Sequence, residues 1–433
     1  MMKSRMFGAS RFAWLLTVCS LAAAQTVPPE VLLLARIKSH MREELDHLPN
    51  YTCLETISRF RREPSVHSKT ALKPLDIVRL EIVYGGHHEW YGSPEARNLS
   101  ADNPAELVGS GMIGTGAFGI TLHNVFEAAT FHYQGEQEVA GRNTVLYDFQ
   151  LPRLLKGLTI SILGGSGTVG EEGSVWADPQ SRDLIRLESR ATDIPPYLPL
   201  HSLTMEMQYG RTRIGSENVL LPQQGSIHML ETSGTESYDR LDFTHCRAFT
   251  AQSSIRFDSD PPAPAASNPV AAPAPIQTVP ALLLVTVQLA RPITSQDAVG
   301  TLISGRIAGD VVRKGKVVIP SGSPVRGRIR RLERFAENSA NEFIVGLEFT
   351  EIEVNGEPMR FYADLLRIDR SPVIRRAISE RILVRNNGGE IQNQESTITL
   401  SELPGVASFF VSGTSFIIPA GYAMAWRTRG VLH

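Results

Sequence analysis

Residues 203 to 209 read Leu203-Thr204-Met205-Glu206-Met207-Gln208-Tyr209, with apolar and polar side chains in strict alternation. Successive side chains of an extended chain point to opposite faces, so this segment is a strand with one dry and one wet side. The same period of two runs through Val78 to Tyr84. Shorter β-rich segments occur at Thr144 to Phe149, Leu158 to Leu163, Leu184 to Leu187 and Tyr238 to Phe243. Half-wet strands suit antiparallel pairing. One segment instead has a helical period: Leu34, Ile37, Met41, Leu45 and Leu48 recur at steps of three and four, and Pro49-Asn50 ends it. Phe118 to Ala128 is a second helical candidate. The fold class expected is mainly β (α+β), with residues 25 to 257 forming a curved antiparallel sheet that carries one or two helices on its concave side.

Residues 282 to 433 read as a small β-barrel. In Phe343-Ile344-Val345-Gly346-Leu347-Glu348-Phe349 the odd positions are apolar, whereas from Ile352 and Val354 onward the even ones are. That change of phase predicts a bulge near Thr350-Glu351, a device that curls a sheet toward closure. Asn355-Gly356 then predicts a tight hairpin turn. An internal echo supports closure: Val317-Val318-Ile319-Pro320-Ser321-Gly322 recurs as Phe416-Ile417-Ile418-Pro419-Ala420-Gly421. Proline presets the first corner of each turn and glycine can take the left-handed one, so the two are expected at corresponding corners of a pseudo-repeated barrel.

The chain opens with Lys3, Arg5 and Arg11, an apolar stretch from Phe12 to Ala23, and Ala22-Ala23-Ala24. Those are the three parts of a secretory signal peptide, so residues 1–24 are expected to be removed near Ala24, making the protein periplasmic or secreted. Lipidation at Cys19 is the rival reading of the same segment. No later apolar run reaches the roughly 20 residues of a transmembrane helix, so none is expected in the mature chain. Loss of the leader leaves 40 basic against 45 acidic residues, which gives no sign of a nucleic-acid partner. Residues 258–281, DSDPPAPAASNPVAAPAPIQTVPA, are rich in proline and alanine and read as a semi-extended linker between two domains. Charge divides across it: 21 basic and 30 acidic residues lie in 25–281, 19 and 15 in 282–433. Two cysteines survive cleavage, Cys53 and Cys246, and in an oxidising compartment the pair is expected to form a disulfide.

Three segments carry a resemblance. Leu48-Pro49-Asn50-Tyr51-Thr52-Cys53-Leu54-Glu55-Thr56-Ile57, Gly135 to Arg142 and Gly173-Ser174-Val175-Trp176-Ala177-Asp178-Pro179 resemble a family of exported proteins common in Acidobacteria. The order of strand, Val-Trp-x-Asp-Pro turn and strand is similar to the half-barrels of the lipoprotein carriers LolA and LolB and of the sensor RseB, which implies a LolA-like sheet. Through its Ile-Pro-Ser-Gly and Ile-Pro-Ala-Gly turns the C-terminal region resembles the β-barrel domain of TrbI-type conjugation proteins, which implies a small barrel. Two β-rich domains on a Pro/Ala tether lead to the expectation that this barrel is a docking module.

Motifs for chemistry are weak. Gly109 to Gly114 and Gly165 to Gly170 fit a dinucleotide fingerprint but lack the strand-to-helix setting that would aim a helix at a pyrophosphate, so both are expected to be loops. His40, Glu43, Glu44 and His47 share a helical face and could in principle hold a metal, but a solvated polar face explains them as well. Adjacent strand residues point apart, which argues against His87-His88-Glu89 as a ligand set. No Gly-x-Ser-x-Gly elbow occurs. No catalytic, metal or cofactor-binding residue is therefore assigned, and no cofactor is expected. Leu203, Met205, Met207 and Tyr209 mark an apolar face that could receive a ligand. Arg326, Arg328 and Arg330 mark a face for an anionic partner, or a charged edge that discourages aggregation. The function expected is a non-enzymatic cell-envelope protein that binds a lipid, peptide or partner protein. The alternative is a hydrolase or isomerase with dispersed acidic residues.

Overall fold

The computed structural model describes residues 27–64, 71–86, 88–95, 120–162, 165–248, 277–337, 340–369, 374–376, 383–385, 391–393 and 405–430. The leader with Cys19, the glycine motif at Gly109 to Gly114 and His87 lie outside them, as does the linker except for residues 277–281.

The first sheet contains β1 (Tyr51–Arg62), β2 (Lys73–Gly85), β3 (His88–Gly92), β4 (Thr130–Val139), β5 (Arg142–Leu151) and β6 (Leu158–Ile162). It continues with β7 (Gly165–Ala177), β8 (Leu184–Thr192), β9 (Leu200–Ile214), β10 (Glu217–Glu231) and β11 (Glu236–Ala248). Their spatial order is β3-β2-β1-β11-β10-β9-β8-β7-β5-β4, with β6 on β7, and neighbours run antiparallel to form a curled half-barrel. The expected loop at Gly165 to Gly170 is strand instead. It pairs with β6 from Val169↔Leu158 to Gly165↔Ile162, and glycine's missing side chain admits the Tyr197 ring against Gly167.

Helix α1 (Pro29–Asp46) begins with a proline in its first turn, where the ring costs no hydrogen bond, and lies on the apolar face of this sheet. Ile37, Met41 and Leu45 are buried there, the Tyr147 hydroxyl donates to the Glu30 carbonyl at 2.7 Å, and Lys38 stands 5.1 Å over the Phe131 ring. The short α2 (Ile120–Ala128) packs beside it, burying Leu122, Val125 and Phe126, and α3 (Arg153–Lys156) is a single turn against β7. Cys53 and Cys246 are joined as a disulfide that ties β1 to β11, where one residue of β1 opposes two of its partner between Thr52↔Arg247 and Leu54↔Thr244.

The second sheet and its small satellites contain β12 (Leu284–Leu289), β13 (Ile293–Thr294), β14 (Leu302–Ile307), β15 (Val311–Arg313), β16 (Lys316–Ile319), β17 (Pro324–Glu337) and β18 (Ala340–Val354). They continue with β19 (Glu357–Arg360), β20 (Ala363–Ile368), β21 (Ile374–Arg376), β22 (Leu383–Arg385), β23 (Ile391–Asn393), β24 (Ala407–Ser412), β25 (Ile417–Ile418) and β26 (Ala423–Thr428). β19 pairs with β18, and two residues later β20 pairs with β26. This bent stretch therefore joins both margins of the run β26-β12-β14-β17-β18 into a ring. Thr350 has no partner between Arg326↔Glu351 and Gly327↔Phe349, which is the expected bulge, and Asn355 and Gly356 both take positive φ in the hairpin that follows. The two echoed turns match in detail. Gly322 and Gly421 have φ of 81° and 80°, their amides donate to Ile307 and Leu289, and in each turn the proline carbonyl accepts from the residue after the glycine.

The two sheets touch. Val78 of β2 bridges Val299 in parallel, with amide hydrogen bonds of 2.9 Å from Arg79 to the Val299 carbonyl and 2.8 Å from Val299 to the Ile77 carbonyl. Gly300 fits this seam because a Cβ there would stand 2.4 Å from the Arg79 carbonyl oxygen. Beside it Arg59 and Asp76 form a buried bidentate ion pair at 2.6 and 2.5 Å, in a field to which Asp239 and Glu333 contribute. The end of the proline-rich stretch is also structural: Thr278 bridges Arg360, and Val279 is buried.

Candidate functional site

Strand alternation places one polar side chain per strand along a straight line across the half-barrel. The cross-strand partners run His132–Asp148–Ser174–Glu188–Glu206–Ser226, over β4, β5, β7, β8, β9 and β10. A second row, Gln150–Glu172–Arg190–Thr204, lies beside it. Between them they line an open trough of about 700 Å³. At the usual strand spacing, six strands give it a length of roughly 24 Å.

Its polar groups are largely held by one another. The Ser174 hydroxyl donates to Asp148 at 2.6 Å, and Arg190 pairs with Glu172 at 2.6 Å. Glu188 and Glu206 face each other directly on neighbouring strands, an arrangement that repels unless a cation intervenes. Arg186 supplies it, binding Glu188 and reaching Glu206 at 3.2 Å while stacking over Trp176. Glu172, Glu188 and Glu206 thus share two arginines, Asp148 adds a fourth carboxylate, and the trough is acidic.

On the opposite face of β9, Met205, Met207 and Tyr209 are buried in the core, and Leu203 packs at its margin. This face is apolar, as its alternation requires, but it is covered rather than open, because the leucine stripe of α1 occupies the same side of the sheet. Arg326 and Arg330 pair with Glu351 and Glu348, at 2.9 and 2.6 Å. Arg328 donates to the carbonyls of Pro94 and Gly300, so it belongs to the seam between the sheets. On β9 the polar neighbours Thr204 and Glu206 line the trough, with Met205 between them at its floor. The signal for them was the other phase of the same alternation.

The polar face of α1 anchors the helix. His40 meets Asp183 at 2.9 Å, and Arg211 binds both Asp183, at 3.0 Å, and Glu44, at 2.9 Å through each carboxylate oxygen. No group of three or more acidic, histidine or cysteine side chains suited to a metal occurs among the described residues. Burial pushes the Asp183 carboxyl up, but hydrogen bonds from Arg211 and His40 outweigh it and hold the group below the ordinary aspartate value. A carboxylate depressed in this way contributes stability that is present above its unfolded value of about 3.9 and is lost as the pH falls through the folded one. The docking of α1 is therefore expected to weaken below about pH 4, and Asp183→Asn to flatten that part of the acid response. Unfolding curves of both proteins between pH 3 and 6 test this; equal slopes would refute it.

No protein-family model matches the chain, and comparison with curated proteins returns no match. Among solved structures, a DUF1329 family protein from Desulfovibrio piger aligns over 54% of this chain and 98% of its own, at 12% identity and a TM-score of 0.29. A provisionally named outer membrane lipoprotein-sorting protein domain from Vibrio parahaemolyticus aligns over 51% and 93%, at 11% identity and a TM-score of 0.28. A LolA superfamily protein from Nitrosomonas europaea aligns over 50% and 94%, at 12% identity and a TM-score of 0.22. Each of the three alignments covers about half of this chain. Among the described residues no helix is long and apolar enough to cross a membrane.

Proposed function

We propose that this is an exported, non-enzymatic envelope protein whose half-barrel binds an extended, positively charged peptide segment of a partner protein. The observation that carries the reading is the facing pair Glu188 and Glu206 in an open trough with more carboxylates than cations. Such a surface accepts hydrogen bonds from peptide amides and from lysine or arginine side chains. The apolar face, where a lipid would sit, is filled by α1, so a lipid would have to displace that helix.

A synthetic decapeptide alternating lysine with small polar residues is the probe. Titration calorimetry is expected to show salt-sensitive binding that Glu188→Gln with Glu206→Gln weakens at least tenfold, since charge-assisted hydrogen bonds are worth about 1.5–3 kcal/mol. Binding unchanged in that double variant would refute the reading. The same carboxylates favour a second reading, a hydrolase or isomerase with dispersed acidic residues. Turnover of ester, peptide or glycosidic probes that disappears in the Glu188→Gln variant would establish it instead.

A further inference from the structure

β15 and β16 form a hairpin whose base is fixed and whose tip is exposed. Val311 and Ile319 are opposite one another and buried, whereas the next pair, Val312↔Val317, is 56% and 52% exposed. The turn is Lys314-Gly315, both with positive φ, the two-residue geometry that matches strand twist. Arg313 and Lys316 pair across it, so three cations crowd the tip. Arg306, whose guanidinium reaches the Gly322 carbonyl at the hairpin's base, adds a fourth. The nearby acid, Asp310, accepts instead from the Ser321 amide at 2.7 Å. Among the described residues none of the four cations forms an ion pair.

Two β-branched apolar side chains exposed directly opposite each other, beneath a cluster of unneutralised cations, gain nothing from water. Polar side chains would serve a solvated hairpin better, and the cations repel one another at this spacing. Both features become favourable at the boundary of an anionic bilayer, where cations meet phosphate and short apolar groups enter the headgroup region. The region that carries the hairpin is also the basic part of the chain, with 19 basic and 15 acidic residues in 282–433. We infer that the β15–β16 hairpin docks this protein on an anionic phospholipid surface. The inference does not depend on the trough or its occupant.

The test is co-sedimentation of the mature full-length chain with vesicles of phosphatidylglycerol and phosphatidylethanolamine, against vesicles of phosphatidylcholine alone. Binding to the anionic vesicles only, falling as salt is raised, is expected. Replacing the tip cations together, Arg313→Ser, Lys314→Ser and Lys316→Ser, is expected to weaken partitioning about a hundredfold, from the contribution of each cation near a charged membrane. Val312→Ser with Val317→Ser is expected to weaken it about tenfold while leaving its salt dependence unchanged. Circular dichroism and thermal unfolding confirm that each variant is folded. The inference is overturned if the unaltered protein ignores anionic vesicles, or if the triple variant binds them as well as the parent does. Binding of the parent to an acidic protein partner that the triple variant loses, with no vesicle binding by the parent, would assign the tip to protein recognition and overturn it equally.

Discussion

Replacing Arg59 with methionine is expected to cost about 3–5 kcal/mol of stability, because it leaves a buried carboxylate without its counter-charge. Arg59 and Asp76 are both almost wholly shielded from solvent and are joined by two hydrogen bonds. Asp239, also buried, and Glu333 of β17 add negative potential at the same point. Once the guanidinium is gone, Asp76 sits among like charges in a poorly solvated seam, and the seam must open or take up a proton. A second replacement that removes the other charge, Arg59→Met with Asp76→Asn, is expected to recover most of the loss. Urea unfolding followed by fluorescence measures both. A loss under about 1 kcal/mol for the single variant, the level of an exposed pair, would show that the pair is not sealed as described. Because Glu333 comes from the second sheet, the variant is also expected to loosen the contact between the sheets, so that one cooperative unfolding transition becomes two.

The second large effect belongs to the crosslink between Cys53 and Cys246. It closes a loop with a sequence separation of 193 and therefore removes much conformational freedom from the unfolded chain. The chain-entropy relation puts its contribution at about 5 kcal/mol. Cys53→Ala with Cys246→Ala is expected to lower the unfolding temperature by about 10 °C or more. Alanine is the suitable replacement because Cys53 is buried and a serine hydroxyl would need a partner there. Peptide mapping without reductant provides an independent check, and two free thiols in protein purified without reductant would contradict the bridge. The crosslink joins β1 to β11, the first and last strands of the half-barrel in chain order. Its loss is therefore expected to fray the pairing at Tyr51↔Ala248 before the distant β4–β5 hairpin, a difference that amide hydrogen exchange resolves.

Much of the architecture could be read locally. The period-two pattern around Met205 and Met207 identified β9 and its buried side, and the leucine stripe identified α1, whose Ile37, Met41 and Leu45 are in the core. The phase change at Thr350 identified a bulge, and the Pro-x-Gly echo identified two turns with nearly equal glycine angles. The candidate site was less legible. The apolar residues Met205, Met207 and Tyr209 stood out because a ligand face and a core face have the same pattern. Only packing showed that α1 already covers them. Arg326, Arg328 and Arg330 looked like one charged stripe, yet Arg328 spans the seam to Pro94 while the others pair with glutamates on β18.

From its sequence alone this protein is committed to alternating strands, one amphipathic helix, tight turns at Asn355-Gly356 and at the two Pro-x-Gly corners, and a pair of cysteines free to meet. Each of these follows from chemistry within a few residues, where side-chain direction and backbone freedom are set by near neighbours. The placing of Glu188 against Glu206, of Val299 beside Val78, and of α1 over the apolar face depends on strand order and register between residues far apart in the chain. Those distances are closed by burial and by backbone hydrogen bonds, which any alternating strand can offer to any other. The choice among partners therefore became visible only in the folded molecule.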